Sequence, residues 1–268
     1  MPAIAGAHTR HAQAAPKAAA AAYLARRHFS ASLADRLQRR PFLVGVERLW
    51  LIYQLLDALA HAHARGVVHG DVRSENIMVA EWCFCVLVDF AAHKPATLRD
   101  DGPAVLEHFA AGDGAQRAAR CYVAPERLVR DLSPETGGSL RPPADVFAAG
   151  CVAAEILNGG APTLDVAAAL ALARAPVDRA RPPPPAVLAL RPAAARAAVA
   201  AMLARDPDAR GGAADHAAAV AAVAAGACGA PADASPAAAR LGRAALARPT
   251  PDARVALACR AYLSLIHI

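Results

Sequence analysis

The chain has 268 residues and a formal net charge of +6, from 29 basic and 23 acidic side chains. The basic residues are almost all arginine, and they are scattered without a dense run or interleaved aromatics. This distribution favours a solvated surface over a nucleic-acid-binding protein, which is kept as a weaker alternative. The longest apolar run, residues 217–231, is mostly alanine and glycine, so we expect no transmembrane helix.

Cysteine usage indicates a reducing compartment. The six cysteines form no CxxC pair and no zinc-ligand spacing, and several lie in apolar runs where cysteine behaves as a small hydrophobic residue: Cys83, Cys85, Cys121, Cys151, Cys228 and Cys259. Reduced thiols are typical of a cytoplasmic protein, which is the location we expect.

The first third of the chain is predicted to contain one long helix and two short strands. Residues 1–22 are alanine-rich without a clear apolar stripe and are predicted to be disordered or loosely helical. Apolar residues at helical spacing predict a helix from Val46 to Arg65, and Gly66 supplies its stop. The apolar runs at residues 77–79 and 86–88 predict two strands with a tight connection.

The remaining chain is predicted to alternate loops and helices. Residues 92–120 lack periodicity and predict a long loop, whereas residues 145–157 predict an apolar and therefore buried helix. Pro182–Pro185 predict a surface loop, and residues 192–203 return to a helical pattern. After Arg210 the sequence is of low complexity until Pro251, which is typical of a helix start.

The candidate chemistry lies around the two predicted strands. His69, Asp71 and Asn76 form an HxD-x4-N pattern before the first strand, and Asp89-Phe90-Ala91 follows the second. Phosphoryl transfer needs a carboxylate that orients the attacking hydroxyl, and oxygen ligands that hold magnesium against the nucleotide. Asp71 suits the first role. Asn76 and Asp89 suit the second, since a hairpin between them would bring their oxygens together. A single Asp or Asn would more often be a turn residue, but the combined spacing is that of protein kinases.

Three further motifs follow in the order found in protein kinases. Ala124-Pro125-Glu126 is typical of the end of an activation segment. Asp145 begins the predicted buried helix, where such an aspartate accepts hydrogen bonds from the catalytic-loop backbone. Asp206–Arg210 supplies an arginine that could pair with Glu126. We therefore predict a mainly α fold, the C-terminal lobe of a protein-kinase-like domain with a small β-hairpin.

This reading divides the chain into four regions. They are a disordered segment 1–22, a kinase-like C lobe 23–215, a low-complexity linker 216–249 and a possible helical region 250–268. A kinase N lobe requires a glycine-rich loop and a lysine on a strand. Before Gly66 the sequence has only Gly6, Gly45 and Lys17 for these roles, and none lies in a strand pattern. We therefore expect the N lobe to be absent or vestigial, and the chain to be a piece of a longer protein.

More specific residues resemble one family, the protein-kinase-like regulatory subunits of class III phosphatidylinositol 3-kinase complexes (vacuolar protein sorting fifteen kinases). These residues are Arg40-Pro41-Phe42-Leu43, Gly70, Ser74–Val79, Val88–Ala91 with Lys94-Pro95, and Cys121–Arg127. The resemblance implies ATP and Mg²⁺ as cofactors. It implies the lipid kinase catalytic subunit and associated autophagy and sorting subunits as partners. It also implies a cytoplasmic protein, peripheral on endosomal and autophagic membranes through the complex.

Three positions depart from ordinary kinases. Gly70 stands where most kinases have an arginine that binds a phosphate on the activation loop. The resemblance therefore implies that phosphorylation of this loop does not switch activity. Ala91 replaces a glycine, and its Cβ makes a positive φ costly, which should restrict movement of the metal loop. Arg73 stands where many serine/threonine kinases have a lysine near the transferred phosphate, and it keeps a cation with a different geometry.

Enzymatic activity is left open by these residues. One hypothesis is a serine/threonine kinase fragment in which Asp71 is the base and Asn76 and Asp89 hold magnesium. The other is a catalytically inactive lobe that serves as a docking surface for the lipid kinase. For the chain as given, the missing strand lysine and glycine-rich loop favour the inactive lobe.

Overall fold

The computed structural model describes residues 28–80, 83–91, 96–99, 120–129, 140–175, 185–190 and 193–227. The helices in these ranges are α1 (Leu33–Gln38), α2 (Gly45–His63), α3 (Pro142–Leu157), α4 (Val166–Arg174), α5 (Pro185–Leu188), α6 (Ala193–Met202) and α7 (Ala213–Ala227). The strands are β1 (Ile77–Val79), β2 (Cys85–Leu87), β3 (Leu98–Arg99) and β4 (Leu128–Val129). None of these helices is both long enough and apolar enough to cross a membrane. The segments predicted at 1–22 and 250–268 lie outside the described residues.

Helix α2 forms one wall of the core. The Glu47 carboxylate accepts a hydrogen bond from the backbone N–H of Val44 at 2.9 Å, which satisfies a donor at the helix start. Beyond the last turn Gly66 has a φ of +72°, a conformation that favours glycine and ends helices. The buried face consists of Leu49, Leu51, Ile52, Tyr53, Leu55, Leu56 and Leu59. The prediction of a helix from 46 to 65 is confirmed, with each bound within two residues.

Helix α3 is the centre of the lobe. Prolines occupy its first turn, where a missing backbone N–H costs no helical hydrogen bond. Every residue from Ala144 to Ile156 is buried, as expected for a helix that is apolar on all sides. It packs against α2 and α6. The predicted buried helix is therefore confirmed, although it begins at Pro142 rather than Asp145.

Helix α7 differs from the sequence prediction, which placed residues 216–249 in a linker. The helix continues to Ala227 and packs against α2. Its buried apolar residues Ala213, Ala217, Val220 and Ala224 are spaced by three or four, which is one face of a helix. Alanine is a strong helix former and a small core residue at once, so an alanine-rich segment shows little contrast between its two faces. The linker prediction is therefore wrong for residues 216–227.

The strands form two pairs in the described part of the chain. β1 and β2 are antiparallel, with Ile77 opposite Leu87, so the predicted hairpin is confirmed with its second strand one residue earlier. β3 and β4 pair in parallel, with Leu98 opposite Leu128. The expected long loop 92–120 therefore contains a short strand. Of the predicted surface loop Pro182–Pro185, the last residue begins α5 and the rest lies outside the described residues.

An ion pair between a buried arginine and a half-buried glutamate joins the Ala124-Pro125-Glu126 segment to this core. The Arg210 guanidinium donates to both carboxylate oxygens of Glu126, at 2.6 and 2.7 Å. It also donates to the carbonyl of Pro143 at 2.9 Å and lies 4.9 Å from the centre of the Phe147 ring. The sequence analysis expected this pair. Because Pro143 and Phe147 belong to α3, the arginine anchors the segment directly to the central helix.

We expect Arg210→Met to lower the free energy of unfolding by about 3–5 kcal/mol, because it leaves the Glu126 carboxylate and several carbonyls without their donor. Urea denaturation followed by circular dichroism measures this change. Arg141→Met is the matched control, since Arg141 pairs with Asp208 at 3.1 Å on the surface, where both side chains are mostly exposed. The control should change stability by no more than about 0.5 kcal/mol. Equal losses in the two variants would contradict the anchoring role.

Candidate functional site

A buried carboxylate at the start of α3 holds the loop that carries the candidate base. Asp145 is 2% exposed. Its Oδ2 accepts the backbone N–H of His69 at 2.7 Å, and its Oδ1 accepts that of Gly70 at 2.8 Å. These are the backbone bonds that the sequence analysis expected of Asp145. His63, in the last turn of α2, also contacts Oδ2 through Nε2 at 3.0 Å. This third partner was missed, and only its place near the end of the predicted helix could have suggested it.

His69 connects the loop to the end of the hairpin. Its imidazole is fully buried. The backbone N–H of Asp71 donates to Nδ1 at 3.1 Å, so Nδ1 carries no proton. Nε2 is therefore protonated and donates to the carbonyl of Val88 at 2.9 Å. Burial lowers the pKa of the imidazole, which favours this neutral form. His69 therefore holds the loop and the end of the hairpin together through two hydrogen bonds to the backbone.

Asp71 and Asn76 lie in direct contact. The Asn76 amide nitrogen donates to the backbone carbonyl of Asp71 and to its Oδ2, each at 2.9 Å. Both side chains are buried, at 8% and 5% exposure. The Nε of Arg73 lies 3.5 Å from the same Oδ2, within ion-pair distance but without hydrogen-bond geometry. Three of the predicted site residues are thus brought together around one carboxylate.

Asp89 lies at the same end of the hairpin as Asn76. The backbone N–H of Val88 donates to the carbonyl of Asn76 at 2.9 Å, which extends the β1–β2 ladder by one pair. Asp89 comes next in the chain; it is exposed and has a φ of +61°. Aspartate tolerates this left-handed conformation better than most residues. The sequence predicts a backbone restriction at Ala91, but of these two residues it is Asp89 that has a positive φ. Ala91 is buried, and its N–H donates to the carbonyl of His69 at 2.8 Å.

The side-chain oxygens of Asn76 and Asp89 are of the kind that binds magnesium. Mg²⁺ prefers oxygen ligands and usually binds one or two protein groups together with waters and phosphate oxygens. Asn76 turns its amide nitrogen towards Asp71, so its amide oxygen is the atom that could reach a metal. The Asp89 carboxylate would supply the second oxygen. Among the described residues, no group of three or more His, Cys, Asp or Glu side chains could hold a metal ion. Two oxygen ligands are within the number that Mg²⁺ usually takes from a protein when waters and phosphate oxygens supply the rest.

A second buried network supports the loop from the activation-segment side. The Ser74 and Tyr122 hydroxyls are 2.9 Å apart, and Tyr122 donates to Oε2 of Glu155 at 2.7 Å. The Arg120 guanidinium lies 3.3 Å from Oε1 of the same carboxylate. Burial raises the pKa of Glu155 and raises that of Tyr122 well above its usual value. Sequence reasoning missed this network, although Glu155 and Asp145 are the only acids in the apolar helix α3 and could have signalled it.

A small cavity opens beside Asp71. Its wall includes Gly70, Val123, Arg127 and Asp145, so it lies between the loop, the activation-segment end and α3. Glu126 and Arg210, the remaining predicted structural residues, pair with each other rather than with the loop. The predicted residues therefore fall into two groups, one around Asp71 and one that anchors the Ala124-Pro125-Glu126 segment.

Comparisons with known proteins agree with this geometry. The protein kinase domain model matches residues 19–219. The serine/threonine-protein kinase VPS15 of Arabidopsis thaliana is 40% identical over 161 residues, which cover 59% of this chain and 11% of the relative. The proteins of the same name from Saccharomyces cerevisiae and Schizosaccharomyces pombe are 40% and 42% identical over 54% and 51% of the chain, and 10% and 8% of their own lengths.

The matched segment is thus about a tenth of the length of these relatives. Serine/threonine-protein kinase PknD of Mycobacterium tuberculosis is 34% identical over 49% of the chain and 17% of its own length. The domain match covers most of the chain and includes the catalytic loop, the hairpin and the central helix α3. The chain belongs to the protein kinase domain family, with relatives named VPS15 among its similar sequences.

Proposed function

We propose that the chain carries the magnesium–nucleotide site of a serine/threonine protein kinase-like regulatory subunit. This subunit belongs to a class III phosphatidylinositol 3-kinase complex, acts in endosomal or vacuolar sorting and autophagy, and is cytoplasmic and peripheral on those membranes through the complex. The observation that carries the proposal is the contact of Asn76 with Asp71 at the hairpin end that leads to Asp89. The similarity to relatives named VPS15 supports the choice of complex.

The proposal gives each of these residues a step in phosphate transfer. ATP, bound with Mg²⁺, would supply the γ-phosphoryl group: the bond from phosphorus to the attacking oxygen forms as the bond to ADP breaks. Asp71 accepts a hydrogen bond from the attacking serine or threonine hydroxyl and then takes its proton. The two bonds from Asn76 hold Asp71 in place for this step. Arg73 places a positive charge beside Asp71, where it can offset charge on the transferred phosphate. The oxygens of Asn76 and Asp89 would hold the Mg²⁺ ion, which would offset negative charge on the phosphates of ATP.

A second candidate is a catalytically inactive lobe of the same subunit that serves as a docking surface for the lipid kinase. The observation that favours it is the position of Arg73, whose Nε lies 3.5 Å from Oδ2 of Asp71. The Arg73 guanidinium is a charged group that already lies within ion-pair distance of the base. It also occupies space beside the oxygen that a substrate hydroxyl must reach. A generic active serine/threonine kinase fragment is the remaining alternative.

Asp89→Asn tests the metal site. Asparagine tolerates the positive φ at this position, so the substitution removes the charge and keeps the backbone. We expect the variant to bind a fluorescent ATP analogue at least about tenfold more weakly in Mg²⁺, because a carboxylate ligand is lost. Asp208→Asn, which removes an exposed carboxylate, should bind as the wild type does. Wild-type binding that is unaffected by EDTA, or equal affinities in all three proteins, would contradict the site.

Asp71→Asn separates the enzyme from the inactive lobe. If Asp71 is the general base, transfer of radioactive phosphate to a serine-containing peptide should fall at least about 100-fold. The affinity for the ATP analogue should stay within about threefold, because Asp71 is not a proposed metal ligand. A wild-type rate no higher than that of the variant would reject the enzyme and favour the docking role. Equal losses of transfer and of nucleotide binding would contradict the role assigned to Asp71.

The proposed partner can be tested by co-expression. We expect the chain to co-elute from a size-exclusion column with the class III phosphatidylinositol 3-kinase catalytic subunit of the same organism. A class I catalytic subunit is the control and should elute separately. Separate elution of the chain and the class III subunit at micromolar concentrations would contradict the partner assignment, whatever the outcome of the nucleotide experiments.

A further inference from the structure

Arg127 lies buried beneath the catalytic loop, directly after the Ala124-Pro125-Glu126 motif. It is 6% exposed. Its Nη1 donates to the carbonyl of Gly70 at 3.0 Å, and its Nε donates to the carbonyl of Ala96 at 3.1 Å. Burial lowers the pKa of the Arg127 guanidinium, and the nearby carboxylates of Asp145 and Asp71 offset part of this effect. A buried guanidinium is costly unless its donors are paired, so these bonds account for its position.

The bond to Gly70 acts on the peptide unit that precedes Asp71. The carbonyl of this unit accepts from Arg127, and its N–H, which belongs to Asp71, donates to Nδ1 of His69. The N–H of Gly70 itself donates to Asp145. Three successive backbone groups immediately before the candidate base are thus hydrogen-bonded: the N–H and carbonyl of Gly70 and the N–H of Asp71. Rotation of the peptide unit between Gly70 and Asp71 would break buried hydrogen bonds.

A basic side chain at position 70 could not supply the positive charge that Arg127 provides without straining the backbone. Gly70 has a φ of +80°, where a Cβ is unfavourable. A Cβ built there would also lie 2.9 Å from Cδ1 of Leu140 and 3.0 Å from the carbonyl oxygen of Ala91. The positive charge beneath the loop therefore comes from Arg127, which is distant in sequence. Both of its described bonds end at backbone carbonyls, so neither requires a phosphate.

We propose that Arg127 is a positioning residue that holds Asp71 in place, and that it does so without phosphorylation of the segment between Asp89 and Glu126. The inference rests on the proposed function, since it concerns the regulation of the same site. Its physical content is nevertheless independent of nucleotide: the backbone around Asp71 stays ordered as long as the Arg127 guanidinium contacts the carbonyls of Gly70 and Ala96.

Hydrogen exchange of the whole chain, read by mass spectrometry, tests the inference. Arg127→Met should raise the exchange rate of the amides from His69 to Asp71 at least about tenfold, after correction for global stability measured in urea. Arg205→Met is the matched control, because Arg205 also donates to two carbonyls, of Leu172 at 2.8 Å and Ala173 at 2.5 Å. It should leave the corrected rates within about twofold of the wild type. Similar corrected rates in the two variants would overturn the inference.

Arg127→Lys keeps the test decisive if the methionine variant does not fold. The single ammonium group of lysine cannot replace a planar guanidinium that donates to two carbonyls. We therefore expect the corrected exchange rate of the amides from His69 to Asp71 to rise at least about threefold. Protection equal to the wild type in this variant would overturn the inference. Treating the wild-type chain with phosphatase should leave the same rates within about twofold, whereas a larger rise would show that a phosphate holds the loop.

The exchange readout separates this inference from the proposed function. If the chain binds no nucleotide but Arg127→Met loosens residues 69–71 as expected, the proposed function fails and the positioning role stands. If the chain binds nucleotide in Mg²⁺ but Arg127→Met leaves those amides protected, the positioning role fails and the proposed function stands.

Discussion

The carboxylate of Asp145 accepts hydrogen bonds from two successive backbone N–H groups, those of His69 and Gly70, and contacts His63. Its position in the first turn of α3 is favourable for a negative charge, because the helix dipole is positive at that end. The carboxylate is buried, so each of these bonds replaces a lost contact with water. The central helix, the last turn of α2 and the catalytic loop are therefore held together at one point.

Other buried charged side chains along the apolar core are also paired with groups from separate segments of the chain. α3 carries two acidic residues, Asp145 and Glu155, and each is satisfied by groups from a different segment of the site. Arg210 brings a third charge against this helix, over the ring of Phe147. Since a buried charge with a missing partner is strongly destabilising, each of these residues restricts the segments around it to one arrangement. A small lobe can thus position several loops with few regular strands.

Those parts of the site that depend on local spacing could be predicted from sequence. The HxD-x4-N pattern and the two apolar runs located Asp71, Asn76 and the hairpin, because the intervening elements are short and regular. The short helix α1 was missed although Ser32 and Asp35 form a capping box at its start. The alanine-rich α7 was missed because its two faces differ little in composition. Arg127 could not be found in this way, since its partners are 57 and 31 residues distant and its sequence context is that of a surface arginine.

The bonds around Asp71 are structural whether or not the lobe transfers phosphate. Asn76 holds a backbone carbonyl as well as the carboxylate, and His69 joins the loop to the hairpin, so a docking lobe would also need both residues. Asp89 is different, because its side chain is exposed and its φ of +61° is unfavourable for most residues. Aspartate tolerates this conformation better than most residues, so the backbone can present an exposed carboxylate at the end of the hairpin. Of the two proposed magnesium ligands, Asp89 is thus the more accessible, because Asn76 is buried.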